Sequence, residues 1–353
     1  MSSESNANQG DGIDSLEIDL LYRALTAGTE RLIVFLTPGY EYRCGGVISI
    51  ASIYRESLAL QYLHRSEVVL CTVPGEPPLT KYTWFENRNY ILDLESVLRR
   101  CALLNHLLLH IPEYAVNQVL EWLHSSSLMR NVKEVHFNVM LQNIDLVRDQ
   151  DIGGLARFGK VTCTTAHDAY TTSKIRAALG VPLHKLGVYR GPELFPVSPY
   201  NEKEPLLLAS HDEHPLKQQV LQNIAQAFPN LRIKIIQYLA YEKYRELARR
   251  AKWSLTFGEG LDSYFSYPVL SGGVSFAVFN DRFFTAPFAS LQNVYSSWEA
   301  LLENLVTDLK RLDEPQAYTQ CWQQTYDLLC GVYSTSRFRE NLRMFYRGEY
   351  TFS

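Results

Sequence analysis

Short, nearly continuous apolar runs recur along the first half of the chain: Arg31–Leu36 (RLIVFL), Glu67–Val73 (EVVLCTV), His106–Ile111 (HLLLHI), Glu134–Leu141 (EVHFNVML) and Lys160–Thr165 (KVTCTT). A strand buried on both faces loses the apolar–polar alternation of a half-exposed one, so these runs predict parallel-sheet strands. Helical stretches separate them, Ser49–Leu63 after the first and Ala115–His124 after the third. The rhythm breaks at the Pro- and Gly-rich Gly187–Glu202 (GVYRGPELFPVSPYNE), which predicts a linker over 188–203. It then restarts with strands at Pro205–Ser210, Arg232–Gln237, Trp253–Gly258 and Val274–Phe279. The helix Leu216–Phe228 carries Leu216, Val220, Leu221, Ile224 and Phe228 on one face, and another spans Tyr241–Ala251. Beyond Ser296 the pattern is helical, with a stripe of Trp298, Leu301, Leu302, Leu305, Val306 and Leu309, then helices near Gln316–Cys330 and Ser336–Tyr346.

This alternation predicts an α/β chain of two tandem Rossmann-like domains, 30–187 and 204–330, facing each other across a cleft. C-terminal helices follow, and the last, within 331–353, is expected to cross back to the first domain. At 353 residues the chain suits two cores better than one. The chain opens polar and acidic over Met1 to Ile13, and residues 1–29 are expected to be disordered or extended.

Composition narrows the function. Hydrophobic residues make up 46% and charged residues 20%, and the net charge of -4 offers no field for wrapping nucleic acid, so no nucleic-acid partner is expected. The 6 cysteines show neither CxxC pairing nor metal-ligand spacing and read as reduced thiols of a cytoplasmic protein. No apolar run approaches the roughly 20 residues that span a bilayer, which leaves room only for peripheral membrane contact.

Candidate chemistry sits where the predicted strands end. In the second half, Phe257–Phe279 reads FGEGLDSYFSYPVLSGGVSFAVF: Glu259-Gly260 after a strand, a short helix from Ser263 containing Pro268, then Gly272 before the next strand. This segment resembles the donor site of GT-B glycosyltransferases. The resemblance implies that Glu259 holds the donor sugar and that the helix start, with Gly260, Asp262 and Ser263, meets a diphosphate. Retaining members usually carry a second Glu eight positions on, to hold the ribose, where this chain has Tyr267. Ser210 and His211 follow the first strand of the second half, and Lys217, just inside the next helix, matches the basic residue that such enzymes offer to phosphate. No DxD motif of the metal-dependent kind is placed for use, so no metal is expected.

In the first half, Thr37–Ser49 carries Gly45-Gly46 immediately before a helix, similar to the Gly-Gly turn of the GT-B N-terminal domain. Phe137–Asp145 (FNVMLQNID) and Thr164–Tyr170 (TTAHDAY) resemble segments of bacterial polysaccharide-assembly enzymes of the rhamnosyltransferase-like kind. At the end of the third strand, His110 and Glu113 are candidates to take the acceptor hydroxyl's proton, as is His167 with Asp168 as its partner, and Glu113, Gln142, Asn143 and Tyr170 are placed on the acceptor side. The implied reaction moves a hexose or deoxyhexose from a nucleotide diphosphate sugar, a co-substrate with no further cofactor, to a glycan or lipid-linked glycan. A sugar-nucleotide 2-epimerase of the same fold, or a silent nucleotide-sugar- or partner-binding module, are the alternatives.

Overall fold

The structure is a computed structural model that describes residues 7–85 and 89–353. Its first unit runs α1 (Ala7–Ala24), β1 (Arg31–Thr37), α2 (Gly45–Leu58), α3 (Gln61–His64), β2 (Glu67–Thr72), α4 (Leu94–Arg100), β3 (His106–Pro112), α5 (Val116–Ser125), β4 (Glu134–Leu141), β5 (Lys160–Thr165), α6 (Ser173–Leu179) and β6 (Leu183–Lys185). The second runs β7 (Glu204–Ser210), α7 (Lys217–Ala227), β8 (Arg232–Ile236), α8 (Tyr241–Arg250), β9 (Ala251–Leu255), α9 (Ser263–Leu270), β10 (Val274–Val278), β11 (Val294–Tyr295), α10 (Trp298–Leu312), α11 (Pro315–Val332) and α12 (Thr335–Arg347).

The described strands form two separate parallel sheets, ordered β2-β1-β3-β4-β5-β6 and β8-β7-β9-β10-β11. In each, the first strand of the unit lies beside both the second and the third, so the winding reverses there and opens a crevice at the carboxyl ends of the strands. Helices cover both faces, which is why the strands carry apolar residues at successive positions: Leu32 to Leu36 of β1 are all buried.

Three expectations are corrected. The segment 1–29 is not extended over its described part: α1 is a helix whose Ile18, Leu21 and Tyr22 pack on the first core, with Leu25 buried in it. Those positions recur at helical spacing, so the apolar stripe outweighs the polar residues around it. Residues 1–6 lie outside the described residues. The first crossover helix begins at Gly45 rather than after the glycines, because Cys44 is still extended (φ -137°) and Gly45 is the first helical residue. Finally, β9 ends at Leu255, so Glu259 and Gly260 lie on the loop that follows it.

The chain's end returns to the first unit. On α12, Phe338 and Leu342 join the core beside β1, and Arg339 grips Glu56 of α2 through Nε (2.7 Å) and Nη2 (3.0 Å). Tyr346 Oη and Ser57 Oγ lie 2.6 Å apart, and Phe352 then pairs antiparallel with Leu183 of β6. Between the units, Tyr241 N donates to Trp84 O (3.0 Å), Arg43 Nη1 donates to Tyr238 O (2.9 Å), and Arg282 pairs with Asp145. No helix among the described residues is long and apolar enough to cross a membrane.

Candidate active site in the interdomain cleft

Two helix starts meet across the cleft. A Cβ placed on Gly45, at the start of α2, would lie 4.0 Å from Ser263 Oγ at the start of α9. Each helix N-terminus presents backbone N–H groups that no intrahelical carbonyl accepts, so the crevice mouth beside this contact suits an anion. Neighbouring groups hold both starts. A Cβ on Gly46 would fall 2.7 Å from Gln142 Oε1, and Gln142 Nε2 donates to Gly46 O (3.3 Å), so a larger residue here displaces the Gln142 amide. Asp262 caps α9: Oδ1 accepts from Phe265 N (2.9 Å) and Oδ2 from Thr256 Oγ1 (2.6 Å). Gly260, at φ 92°, makes the left-handed turn into that cap, where a side chain would strike the Phe284 ring.

The cation at this junction is Arg190, from the linker. Its guanidinium lies over the rings of Tyr267 (5.2 Å) and Tyr333 (5.0 Å) and donates from Nη1 to Ser263 Oγ (3.0 Å), while Nε is buried with no hydrogen-bond partner. Tyr267, standing where a ribose-binding carboxylate was the family expectation, is thus one face of an arginine clamp, packed in turn on Phe195 and Tyr244. Nothing in the hydrophobic pattern marks Arg190. Its only sequence signal is a lone basic residue amid Gly and Pro.

Lys217, the first residue of α7, spends two of its protons on the loop before it, donating to His211 O (2.9 Å) and Asp212 O (2.8 Å). It shapes the turn from which His211 Nδ1 meets Tyr264 Oη (3.0 Å). Ser210 Oγ accepts from Phe257 N (2.8 Å) and joins β7 to the loop carrying Glu259.

Carboxyls flank the helix starts from both domains. Glu259 is reached by solvent, yet the desolvating cleft walls, then Asp262 and Asp212, push its pKa up to about 7 against the pull of Arg190. Burial likewise raises Asp262 to about 6. From the first domain, Glu113 at the end of β3 is only 4% exposed; its Oε1 accepts from Asn143 N (2.8 Å) and Gln142 N (3.2 Å). Burial outweighs those bonds and lifts Glu113 to about 7. The Glu113 and Glu259 charges both reach Cys44, the residue before α2.

The two histidines part company. His110 is not in the cleft: it is 1% exposed, stacked 4.1 Å from Phe35, and packs against Phe345 of α12. Its Nδ1 meets Asn138 Nδ2 (2.9 Å), while Nε2 is buried without a partner. Strand alternation turns position 110 onto the face that the returning helix covers. His167 does sit near the junction, edge-on to Phe283 (5.3 Å) and Tyr170 (5.4 Å). Burial first, then Arg190 and Lys185, hold it down at about 4, so its ring is neutral. Asp168 does not orient it, being paired with Lys185. Tyr170 is buried, with its phenol pushed up to about 12 by burial and then by Glu259.

No protein-family model and no curated protein matches the sequence. Among solved structures, the chain is similar to an α-glucosyltransferase in complex with UDP and a 13-mer DNA containing an HMU base. The TM-score is 0.61 at 10% identity, over 91% of this chain and 100% of that one. It also aligns with the T4 phage β-glucosyltransferase, at a TM-score of 0.43 and 10% identity, over 90% of this chain and 98% of that one. The fold is therefore GT-B, two facing Rossmann-like domains.

Proposed function

We propose that the chain is a glycosyltransferase that uses a nucleotide diphosphate sugar. The observation that carries this is the convergence of the α2 and α9 starts at Gly45 and Ser263, with the Arg190 guanidinium bonded to Ser263. A diphosphate placed there takes backbone N–H groups from both domains and one fixed positive charge. That supply of charge supports a reaction that does not depend on a metal ion.

In this reading Glu113 takes the proton of the acceptor hydroxyl. The acceptor oxygen then forms a bond to the anomeric carbon, the bond from that carbon to the diphosphate breaks, and its electron pair stays on the phosphate oxygen. Glu113 is the better base, because a group near pH 7 is matched to the task and His167, at about 4, is not. Glu259 accepts hydrogen bonds from the donor sugar, and Gln142, Asn143 and Tyr170 border the acceptor. Lys217 acts through the His211–Asp212 loop. The donor is a hexose or deoxyhexose, delivered to a glycan in the cytoplasmic assembly of a surface polysaccharide. The UDP held by the structurally similar α-glucosyltransferase makes UDP-sugars the first donors to try.

The test is incubation with UDP-, GDP- and dTDP-sugars, following free nucleotide. Release of one nucleoside diphosphate, lost in Glu113→Gln and Arg190→Met, is expected. Neither release nor thermal stabilisation with any of them would remove the reading.

A further inference from the structure

The loop that joins β1 to α2 is tied down at several points. Tyr82 Oη bonds Pro38 O (2.5 Å), Gly39 N donates to Glu76 Oε2 (2.6 Å), and Glu41 Oε1 accepts from both the N and the Oγ1 of Thr83 (2.7 Å each). Arg43 reaches over to Tyr238 O of the second domain (2.9 Å). Besides Glu41 and Arg43, this loop leaves in solvent a pair of tyrosines, Tyr40 (47% exposed) and Tyr42 (53% exposed), with ring centroids 5.9 Å and planes 63° apart. Beyond the Arg43 bridge lies Tyr238, 79% exposed and held at φ 54°, a backbone region that few residues other than glycine occupy.

We propose that Tyr40, Tyr42 and Tyr238 are a stacking platform for sugar rings of a neutral saccharide acceptor, spanning both lips of the cleft; the inference rests on the glycosyl-transfer reading above. Position supports it. Gly45 follows Tyr42 by three residues, within about 10 Å of extended chain, so a ring resting on the platform lies close to the transfer site. Chemistry supports it too. Exposed phenols offer an apolar face for the C–H faces of a pyranose and a hydroxyl for its polar edge. The carboxylates tied to this loop are Glu41, which holds Thr83, and Glu76, which accepts from Gly39 N and acts on Tyr40, and the one cation of the loop, Arg43, donates to Tyr238 O. A phosphate backbone needs unengaged lysines and arginines along its path and is repelled by such a rim, whereas an uncharged saccharide is not.

The test uses the full chain, its Tyr40→Ala/Tyr42→Ala double variant and Tyr238→Gly. The glycine tolerates φ 54°, and all three side chains are exposed, so the variants fold. Saturation-transfer NMR titrations are run with maltohexaose, cellohexaose and chitohexaose, with a single-stranded 13-mer oligonucleotide, and with 4:1 phosphatidylcholine–phosphatidylglycerol vesicles. Thermal shifts with UDP, GDP and dTDP are read in parallel. The expected result is binding of at least one saccharide, weakened about tenfold or more in the double variant, with the nucleotide shift unchanged. Equal saccharide binding by variant and parent overturns the platform, as does binding of no saccharide, or a loss on substitution that falls on the oligonucleotide or the vesicles. Absence of any nucleotide shift in the parent chain strikes the transfer reading instead, so the two failures are distinguishable.

Discussion

Gly45 and Ser263 come from different domains and each opens a helix, yet a Cβ on Gly45 would sit 4.0 Å from Ser263 Oγ. The separation is ordinary van der Waals contact, so alanine fits at position 45 and, as a better helix former, stabilises α2 by up to about 1 kcal/mol. The added methyl nonetheless crowds the α2 N–H groups assigned to the diphosphate. Gly45→Ala is expected to hold or raise the melting temperature while weakening nucleotide binding in calorimetry. Gly46→Ala is expected to do the opposite kind of damage. Its methyl meets Gln142 Oε1, the end of a flexible side chain, at 2.7 Å, so Gln142 turns aside, its bond to Gly46 O is lost at a cost of about 0.5–1.5 kcal/mol, and the melting temperature falls.

Glu113 predicts a pH dependence with a definite sign. Its native pKa is raised to about 7 from an ordinary value of 4.5. The native state therefore binds the proton more tightly than the unfolded chain, and this group's stabilisation is full below about pH 4.5 and lost as pH rises through 7. Catalysis runs the other way, since only the ionised carboxylate takes a proton. Nucleotide release is expected to climb as pH passes 7, and Glu113→Gln to lower it about 10²–10⁴-fold. Gln keeps an acceptor for Asn143 N and Gln142 N, so the fold survives while the high-pH loss of stability flattens. A variant with unchanged turnover would remove Glu113 from the role of base.

Arg190 is expected to separate charge from geometry. Lys at this position keeps a positive charge but has no planar face to lie over Tyr267 and Tyr333 and no fork to reach Ser263 Oγ. Arg190→Lys should raise the donor KM about ten- to a hundredfold, the range of a hydrogen bond to a charged group. Arg190→Met removes the charge that holds Glu259 down, so the Glu259 titration moves upward. Carboxyl-labelled NMR titration of the variant against the parent checks the direction, and an unmoved Glu259 contradicts the placement.

The reach of sequence pattern is clear from these same residues. Sheets buried on both faces announce themselves as apolar runs, so two α/β units were legible. Glu259 and Gly45 stand out as candidates because they follow such runs, and in doubly wound sheets ligands gather at that end. Arg190 was hidden, because a linker has no periodicity from which an inward-facing side chain stands out. His110 was misplaced for a different reason. The face it occupies is covered by Phe345, and that contact spans most of the chain, so nothing local distinguishes a core histidine from a catalytic one.

His110 also predicts a loss of stability in acid, centred on the returning helix. Around Phe345 and Tyr346 of α12 lie His64, His110, His136 and His184. Burial lowers the pKa of each, in His136 to about 3. Below about pH 6.5 the unfolded chain takes up protons that these rings refuse, so the cluster costs stability increasingly as pH falls, opposite in sign to Glu113. His110→Phe deletes one such group and the unpartnered Nε2 with it, and keeps the stack on Phe35. Asn138 Nδ2 loses Nδ1 of His110 but retains Thr164 Oγ1 at 3.0 Å. This variant should keep nucleotide release within about twofold, as a group outside the cleft must, while melting temperatures between pH 6.5 and 4 fall less steeply than in the parent. A collapse of turnover in His110→Phe, with the melting temperature preserved, would return the residue to the chemistry.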